Sequence, residues 1–228
     1  KVKSTKELMQ AGLFRLRSDE LELPDGRVMP RYYVMEFPEW VNIIPVTRDG
    51  KIVLVEQYRH ASGEYELEVP GGMANTPKDS GQDFALGAAS ATNETSGLAS
   101  GILVSGAAVD GATNRSLNSV AVVKNSMAED AVRELREETG YCPERTEYLF
   151  SHSPNPAMQS NQMHTFIGWN CDLVSAPEPD PFEELAVHLV SLEQLKELVY
   201  NSKIRHSLMV ASILFALPKL EKEMGEKK

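Results

Sequence analysis

Three carboxylates and two guanidinium groups fall within nine residues, Arg133-Glu134-Leu135-Arg136-Glu137-Glu138-Thr139-Gly140-Tyr141. In a helix, 100° per residue brings Glu134, Glu137 and Glu138 within an arc of roughly 100° on one face. Carboxylates held that close repel one another, and clustered anionic oxygens are the natural site for a hard divalent cation such as Mg²⁺ or Mn²⁺. Arg133 lies one turn before Glu137 and is placed to hold it by an i,i+4 ion pair. The plainer alternative is a solvated helix face, which is what most Glu/Arg runs are. Other candidates are dispersed. Arg59 ends an apolar run and offers a guanidinium fork suited to diphosphate oxygens. Glu68 stands just before Pro70-Gly71-Gly72, where the backbone must bend or approach something closely. Glu183 and Glu184 lie in an acidic, proline-bearing loop.

The elements that must position these groups are legible in outline. Ser126 with Glu129 three residues on forms a capping-box pattern, Met127, Ala131 and Leu135 form an apolar stripe, and Gly140 is placed as a C-terminal cap. The first 40 residues read as β structure with a turn at Pro24-Asp25-Gly26. Val41 to Thr47, Ile52 to Val55 and Tyr65 to Val69 read as further strands, and Tyr148-Leu149-Phe150 and Thr165 to Trp169 as later ones. A polar loop spans Ser153 to Asn161, and the chain ends in a short strand and helical segments from Leu192 to about Leu217. From Asp79 to Lys124 Gly, Ala, Ser, Thr and Asn dominate, which leaves little to bury and reads as an insertion. Within it, Gly101 to Val104 and Val120 to Val123 are each long enough for a strand. Strands first, mixed with two or three helices, predict an α+β or layered α/β/α fold.

Composition limits the partners. The chain has 228 residues and a formal charge of −10, which argues against a surface that coats nucleic acid or an anionic membrane. The longest apolar run, Leu208 to Leu217, is about half a membrane span. Two cysteines, Cys142 and Cys171, cannot build a disulfide framework. A soluble, cytoplasmic protein is the expectation.

The nine-residue segment resembles the second half of the Nudix box, in which an Arg-Glu pair, an apolar residue and a Glu-Glu pair precede Gly and a further apolar residue. Val53-Leu54-Val55-Glu56-Gln57-Tyr58-Arg59 and Glu66-Leu67-Glu68-Val69-Pro70-Gly71-Gly72 resemble the approach strands of Nudix hydrolases acting on ADP-ribose and nucleoside diphosphate sugars. His152-Ser153-Pro154-Asn155-Pro156-Ala157, with Asn161 and His164, resembles the post-box loop of the same group. The sequence departs from the pattern in two ways. The 46-residue stretch Asp79–Lys124 separates Gly72 from Arg133, and the box's first Glu is missing, with Lys78 or Asn125 at the counted position and Asp79 the nearest acid.

The resemblance implies a Nudix α/β/α sandwich with a mixed central sheet over 41–228, holding the 79–124 insertion, and an N-terminal antiparallel β layer over 1–40 through which a homodimer forms. It implies a metal-dependent hydrolase that cleaves the pyrophosphate bond of a nucleoside diphosphate sugar into a nucleoside monophosphate and a sugar phosphate. Mg²⁺, or Mn²⁺, would sit with Glu134, Glu137, Glu138 and Gly72. Glu183 or Glu184 would activate water, with a box carboxylate as the fallback, and Arg59, Glu68, Gly72, Arg133 and Asn155 would contact substrate. Two rivals within the fold are a nucleoside triphosphate hydrolase and a catalytically weakened module that binds nucleotide sugars or a protein partner.

Overall fold

The computed structural model describes residues 1–75, 114–179 and 183–225, with side chains of the long helix described from 126 onward. Asp79 and the strand expected at Gly101–Val104 lie outside the described residues. The chain forms two compact units.

The first unit contains residues 1–39 and 152–163. Its strands β1 (Val2–Ala11), β2 (Phe14–Glu22) and β3 (Val28–Glu36) make an antiparallel sheet in the order β1-β2-β3. The turn predicted at Pro24-Asp25-Gly26 is closed by the Gly26 amide donating to the Leu23 carbonyl at 3.0 Å. Buried Glu36 takes Arg15 and Arg17 as ion-pair partners, and Arg17 also meets buried Asp19 at 3.3 Å. Elsewhere the sheet leaves Leu8, Met9, Val28 and Met29 exposed.

The second unit carries a mixed main sheet of eight strands. β4 (Trp40–Thr47), β5 (Ile52–Arg59), β6 (Glu64–Glu68) and β7 (Gly71–Met73) precede helix α1 (Asn114–Thr139). β8 (Tyr141–Cys142), β9 (Arg145–His152), β10 (Met163–Leu173) and β11 (Leu185–Val190) follow, then helices α2 (Leu192–Tyr200) and α3 (Ser207–Gly225). The main path runs β11-β5-β4-β10-β8, with β6 on β5, β7 on β4 and β9 on β10.

Strand periodicity sorts the helices to opposite faces. Val41 and Ile43 of β4 pack with Met127, Ala131 and Leu135 of α1, together with Phe166 of β10. Their alternate neighbours point the other way. Asn42 donates to Ser212 Oγ on α3 at 2.9 Å, and Thr165 Oγ1 lies 2.9 Å from the same hydroxyl. The sheet is thus sandwiched between α1 and α3, the α+β Nudix-like architecture expected.

Two local expectations are corrected. α1 begins at Asn114, so Ser126 and Glu129 lie inside the helix instead of capping it, and Val120–Val123 is helical. A Ser-x-x-Glu spacing marks a start only where the chain before it leaves the helix, and no Gly or Pro interrupts 114–139. α3 also runs beyond Leu217, through Pro218, to Gly225. Leu220 in this extension is fully buried, and Lys219 is tied to Glu147 and Glu223.

Glu147 joins three elements, accepting from Lys219 on α3, Trp169 Nε1 on β10 at 3.2 Å and Arg145 on β9 at 3.0 Å. Burial would raise its pKa, but these donors outweigh burial and hold it below the ordinary carboxylate value of 4.5. A depressed folded pKa contributes stability that is present above pH ~4.5 and is lost as pH falls through the folded value. Glu147→Gln is therefore expected to lower the melting temperature by a few degrees at pH 7, and the gap from the parent should close as pH falls through the depressed folded value. Thermal melts across pH 3–8 check this.

Candidate active site

The site is built where the last two turns of α1 meet the glycine bend after β6. Pro70 turns the chain, its carbonyl accepting from the Ile43 amide at 3.0 Å, and β7 pairs Gly71 with Asn42 and Gly72 with Val41. A Cβ on Gly71 would lie 2.4 Å from the Val41 carbonyl oxygen, and one on Gly72 would lie 2.5 Å from the Glu134 carboxylate. Side-chain-free backbone is what lets the helix carboxylates come this near the sheet.

The carboxylates are held from both sides. Arg133 donates to Glu137 Oε2 at 2.7 Å, to Glu134 Oε1 at 2.8 Å and to the Met73 carbonyl at 3.4 Å. The i,i+4 pair expected from spacing is therefore present, with Glu134 as a further partner. Glu138, 4% exposed, accepts the Gly71 amide at 3.1 Å. Burial pushes Glu134 up to about 7, against the opposing pull of Arg133, with Glu137 and Glu183 adding repulsion. Burial likewise pushes Glu138 up to about 9, and the charge of Glu134 reinforces it.

Gly140 closes the helix at φ +77°, its amide donating to the Arg136 carbonyl at 2.8 Å, as the sequence predicts. The following chain is fastened to this end. Val174 donates to the Gly140 carbonyl at 2.9 Å, and Glu178 to the Glu137 carbonyl at 2.7 Å. Beyond it, exposed Glu183 acts electrostatically on Glu134, Glu138 and Arg59. Glu184 is exposed beside it.

Arg59 and Glu68 lie on the same side of the second unit and bind each other. Glu68, 2% exposed, accepts from Arg59 Nε and Nη2 and lies 2.9 Å from His206 Nδ1. Burial alone would raise the Glu68 pKa, yet the His206 and Arg59 hydrogen bonds bring it below its usual value. Arg59 is in turn raised by Glu68, Glu138 and Glu183 against the lowering effect of burial. These residues border a pocket of about 490 Å³ that also takes in Glu64, Glu66 and Arg205. Sequence reading missed Glu66, Arg205 and His206. The alternation Glu64-Tyr65-Glu66-Leu67-Glu68 signals three acids on one strand face, but nothing local links them to Arg205 and His206 nearly 140 residues later. Asn155 lies exposed in the loop of the first unit, its carbonyl accepting from Met158 and Gln159.

Among the described residues, no three His, Cys, Asp or Glu side chains are already arranged to hold a metal ion, as Arg133 engages Glu134 and Glu137. The donor chemistry nevertheless fits a hard divalent cation. Two buried carboxylates repel each other beside a glycine, with only part of their charge offset.

Residues 125–210, which carry these helix-borne carboxylates, match the NUDIX domain model. Over most of its length it is similar to the methanol dehydrogenase activator of Bacillus methanolicus, at 25% identity across 87% of this chain and 85% of that protein. The ADP-ribose pyrophosphatase of Bacillus subtilis (strain 168) is 21% identical across 92% of this chain and 91% of its own length. A solved structure of an ADP compounds hydrolase superposes with a TM-score of 0.68, covering 98% of this chain and 95% of its own at 18% identity. That likeness concerns the fold. Among the described residues, no helix is long and apolar enough to cross a membrane.

The two glycines give separable expectations. Gly71→Ala drives a methyl into backbone and should lower the melting temperature by roughly 3–10 °C. Gly72→Ala meets only the end of the Glu134 side chain, so its melt should stay within a few degrees while turnover falls about tenfold to a hundredfold. Melting curves and initial rates on the pair test this.

Proposed function

We propose that the chain hydrolyses the pyrophosphate bond of a nucleoside diphosphate linked to a sugar, releasing a nucleoside monophosphate and a sugar phosphate. The observation that carries the reading is the buried Glu134–Glu138 pair against Gly71-Gly72, with the Arg59–Glu68 pair and its pocket beside it. The relative named ADP-ribose pyrophosphatase, matched nearly end to end, supports the substrate class.

Glu134, Glu137 and Glu138 would hold Mg²⁺ or Mn²⁺ beside the Gly72 backbone. When bound, the ion supplies charge to offset the diphosphate and makes a coordinated water more acidic. Arg133 keeps Glu134 and Glu137 oriented. Arg59, fixed by Glu68, donates to a diphosphate oxygen, which both binds the substrate and opposes charge developing on the leaving phosphate. Glu183, exposed and within electrostatic reach of the buried pair, accepts a proton from the attacking water. The water oxygen bonds to one phosphorus, the bridging P–O bond breaks, and its electron pair leaves with the second phosphate. Glu184 is the alternative base, and Asn155 is proposed as a substrate contact.

A second reading, a module that binds nucleotide sugars without turning them over, is favoured by the missing first acid of the box. Phosphate-release assays with ADP-ribose, GDP-mannose, UDP-glucose and nucleoside triphosphates in Mg²⁺ distinguish the two, turnover being expected on diphosphate sugars. Binding without turnover on every substrate would leave only the module. Glu138→Gln should reduce turnover at least a hundredfold, and full activity in that variant would remove the metal assignment.

We also infer a homodimer formed through the N-terminal sheet, whose exposed Leu8, Met9, Val28 and Met29 are apolar side chains that association can remove from water. Light scattering should give twice the 25.2 kDa chain mass, and Leu8→Glu with Met29→Glu should shift it toward the monomer. The free thiols of Cys142 and Cys171 suit a reducing compartment and support a cytoplasmic setting.

A further inference from the structure

The pocket beside Arg59 has a composition that selects among the parts of a nucleotide sugar. Cross-strand pairing sets Val55 opposite Glu68, Gln57 opposite Glu66 and Arg59 opposite Glu64, so β6 turns all three of its acids to one face. Arg205 and His206, at the start of α3, close over that face. The acids are unequally engaged. Both oxygens of Glu68 are taken by Arg59 and His206. Exposed Glu64 is paired with Arg205. Glu66, only 9% exposed, accepts Arg205 Nη2 at 2.8 Å through Oε1, while Oε2 is buried without a hydrogen-bond partner among the described residues. A buried carboxylate oxygen without a donor is costly, and a ligand that supplies one is favoured by the same amount.

We propose that this pocket receives the sugar of the substrate, with Glu66 Oε2 accepting a hydroxyl hydrogen, so that Glu66 and Arg205 determine which sugar is taken. The proposal rests on the hydrolase reading above and extends it to the substrate's second half. Two features favour a sugar over a base. Among the described residues lining the pocket none is Phe, Tyr or Trp, and its small side chains are Ala61 and Ser62, so a base would find only the His206 imidazole and guanidinium planes to stack on. Its charged lining consists of two guanidinium donors, Arg59 and Arg205, and three carboxylate acceptors, Glu64, Glu66 and Glu68, groups with which sugar hydroxyls can pair. Its volume, about 490 Å³, lies within the usual range for small-molecule sites. Orientation follows from Arg59, whose charge is felt by Glu138 and Glu183 at the carboxylate cluster, so the phosphate end enters there and the sugar extends toward Glu66. Arg205 is the movable wall. Its side chain is half exposed, and one nitrogen, Nη2, meets both Glu64 and Glu66, so an entering hydroxyl competes with that nitrogen for Glu66.

Calorimetric titration of the metal-free protein in EDTA with ribose 5-phosphate, AMP and inorganic phosphate tests this directly. Ribose 5-phosphate should bind the parent protein about tenfold more tightly than inorganic phosphate, the worth of one hydrogen bond to a charged acceptor. Glu66→Gln and Glu66→Leu, each confirmed folded by thermal melt, should erase that advantage and leave AMP binding unchanged. Equal binding of ribose 5-phosphate and inorganic phosphate by the parent protein overturns the proposal. So does a variant that keeps the advantage or weakens AMP equally. With ADP-ribose as substrate, Glu66→Gln should raise KM about tenfold at unchanged kcat. If no diphosphate sugar is turned over yet sugar-phosphate binding depends on Glu66, the hydrolase reading fails and the pocket stands. Turnover with a KM indifferent to Glu66 fails the pocket alone.

Discussion

Two carboxylates that water would gladly ionise are instead pressed into the junction of a helix and a glycine bend. Glu138 is almost fully buried and Glu134 partly so, and burial together with the charge of Glu134 raises the proton affinity of Glu138. Such an arrangement persists only where surrounding structure over-determines it. Here the restraint comes from Leu135 and Ala131, which anchor the opposite stripe of α1 in the core, and from the Gly71 amide and Arg133, which satisfy part of the charge. The stable sandwich is the reason the carboxylates cannot move apart to relieve this strain.

Beside this junction the charged residues are organised as pairs that immobilise one another. His206 fixes Glu68, and Glu68 fixes Arg59. A guanidinium whose fork is already aligned loses little freedom on meeting a phosphate, so affinity is gained through orientation more than through charge. The same logic explains why a strand with acids at every second position is tolerated. Each acid has Arg59 of β5 or Arg205, just before α3, as a partner, except for one oxygen of Glu66.

Local periodicity made much of this readable before any coordinates. The arc of Glu134, Glu137 and Glu138, the Arg133 pair and the Gly140 stop are all consequences of 3.6 residues per turn, and each is present. The Pro70-Gly71-Gly72 bend declared a close approach without saying to what, and the answer is the Val41 backbone and Glu134. The start of α1 was misplaced because a capping spacing also occurs by composition within helices, and what decides is the state of the preceding chain. Arg205 and His206 are invisible in the sequence because their importance arises from tertiary contacts of the segment before α3 with β6. An Arg-His pair before a helix has no periodic signature that names a distant strand.

The fastening of Glu178 to the carbonyl of Glu137 has a geometric consequence for the acid five residues beyond it. Five residues span at most about 17–18 Å, so Glu183 lies within that distance of the turn that carries Glu137 and Glu138. The covalent distance between the two is thus an upper bound on their separation, set by chain length alone, and under the proposed hydrolysis residues inserted between Glu178 and Glu183 would raise that bound.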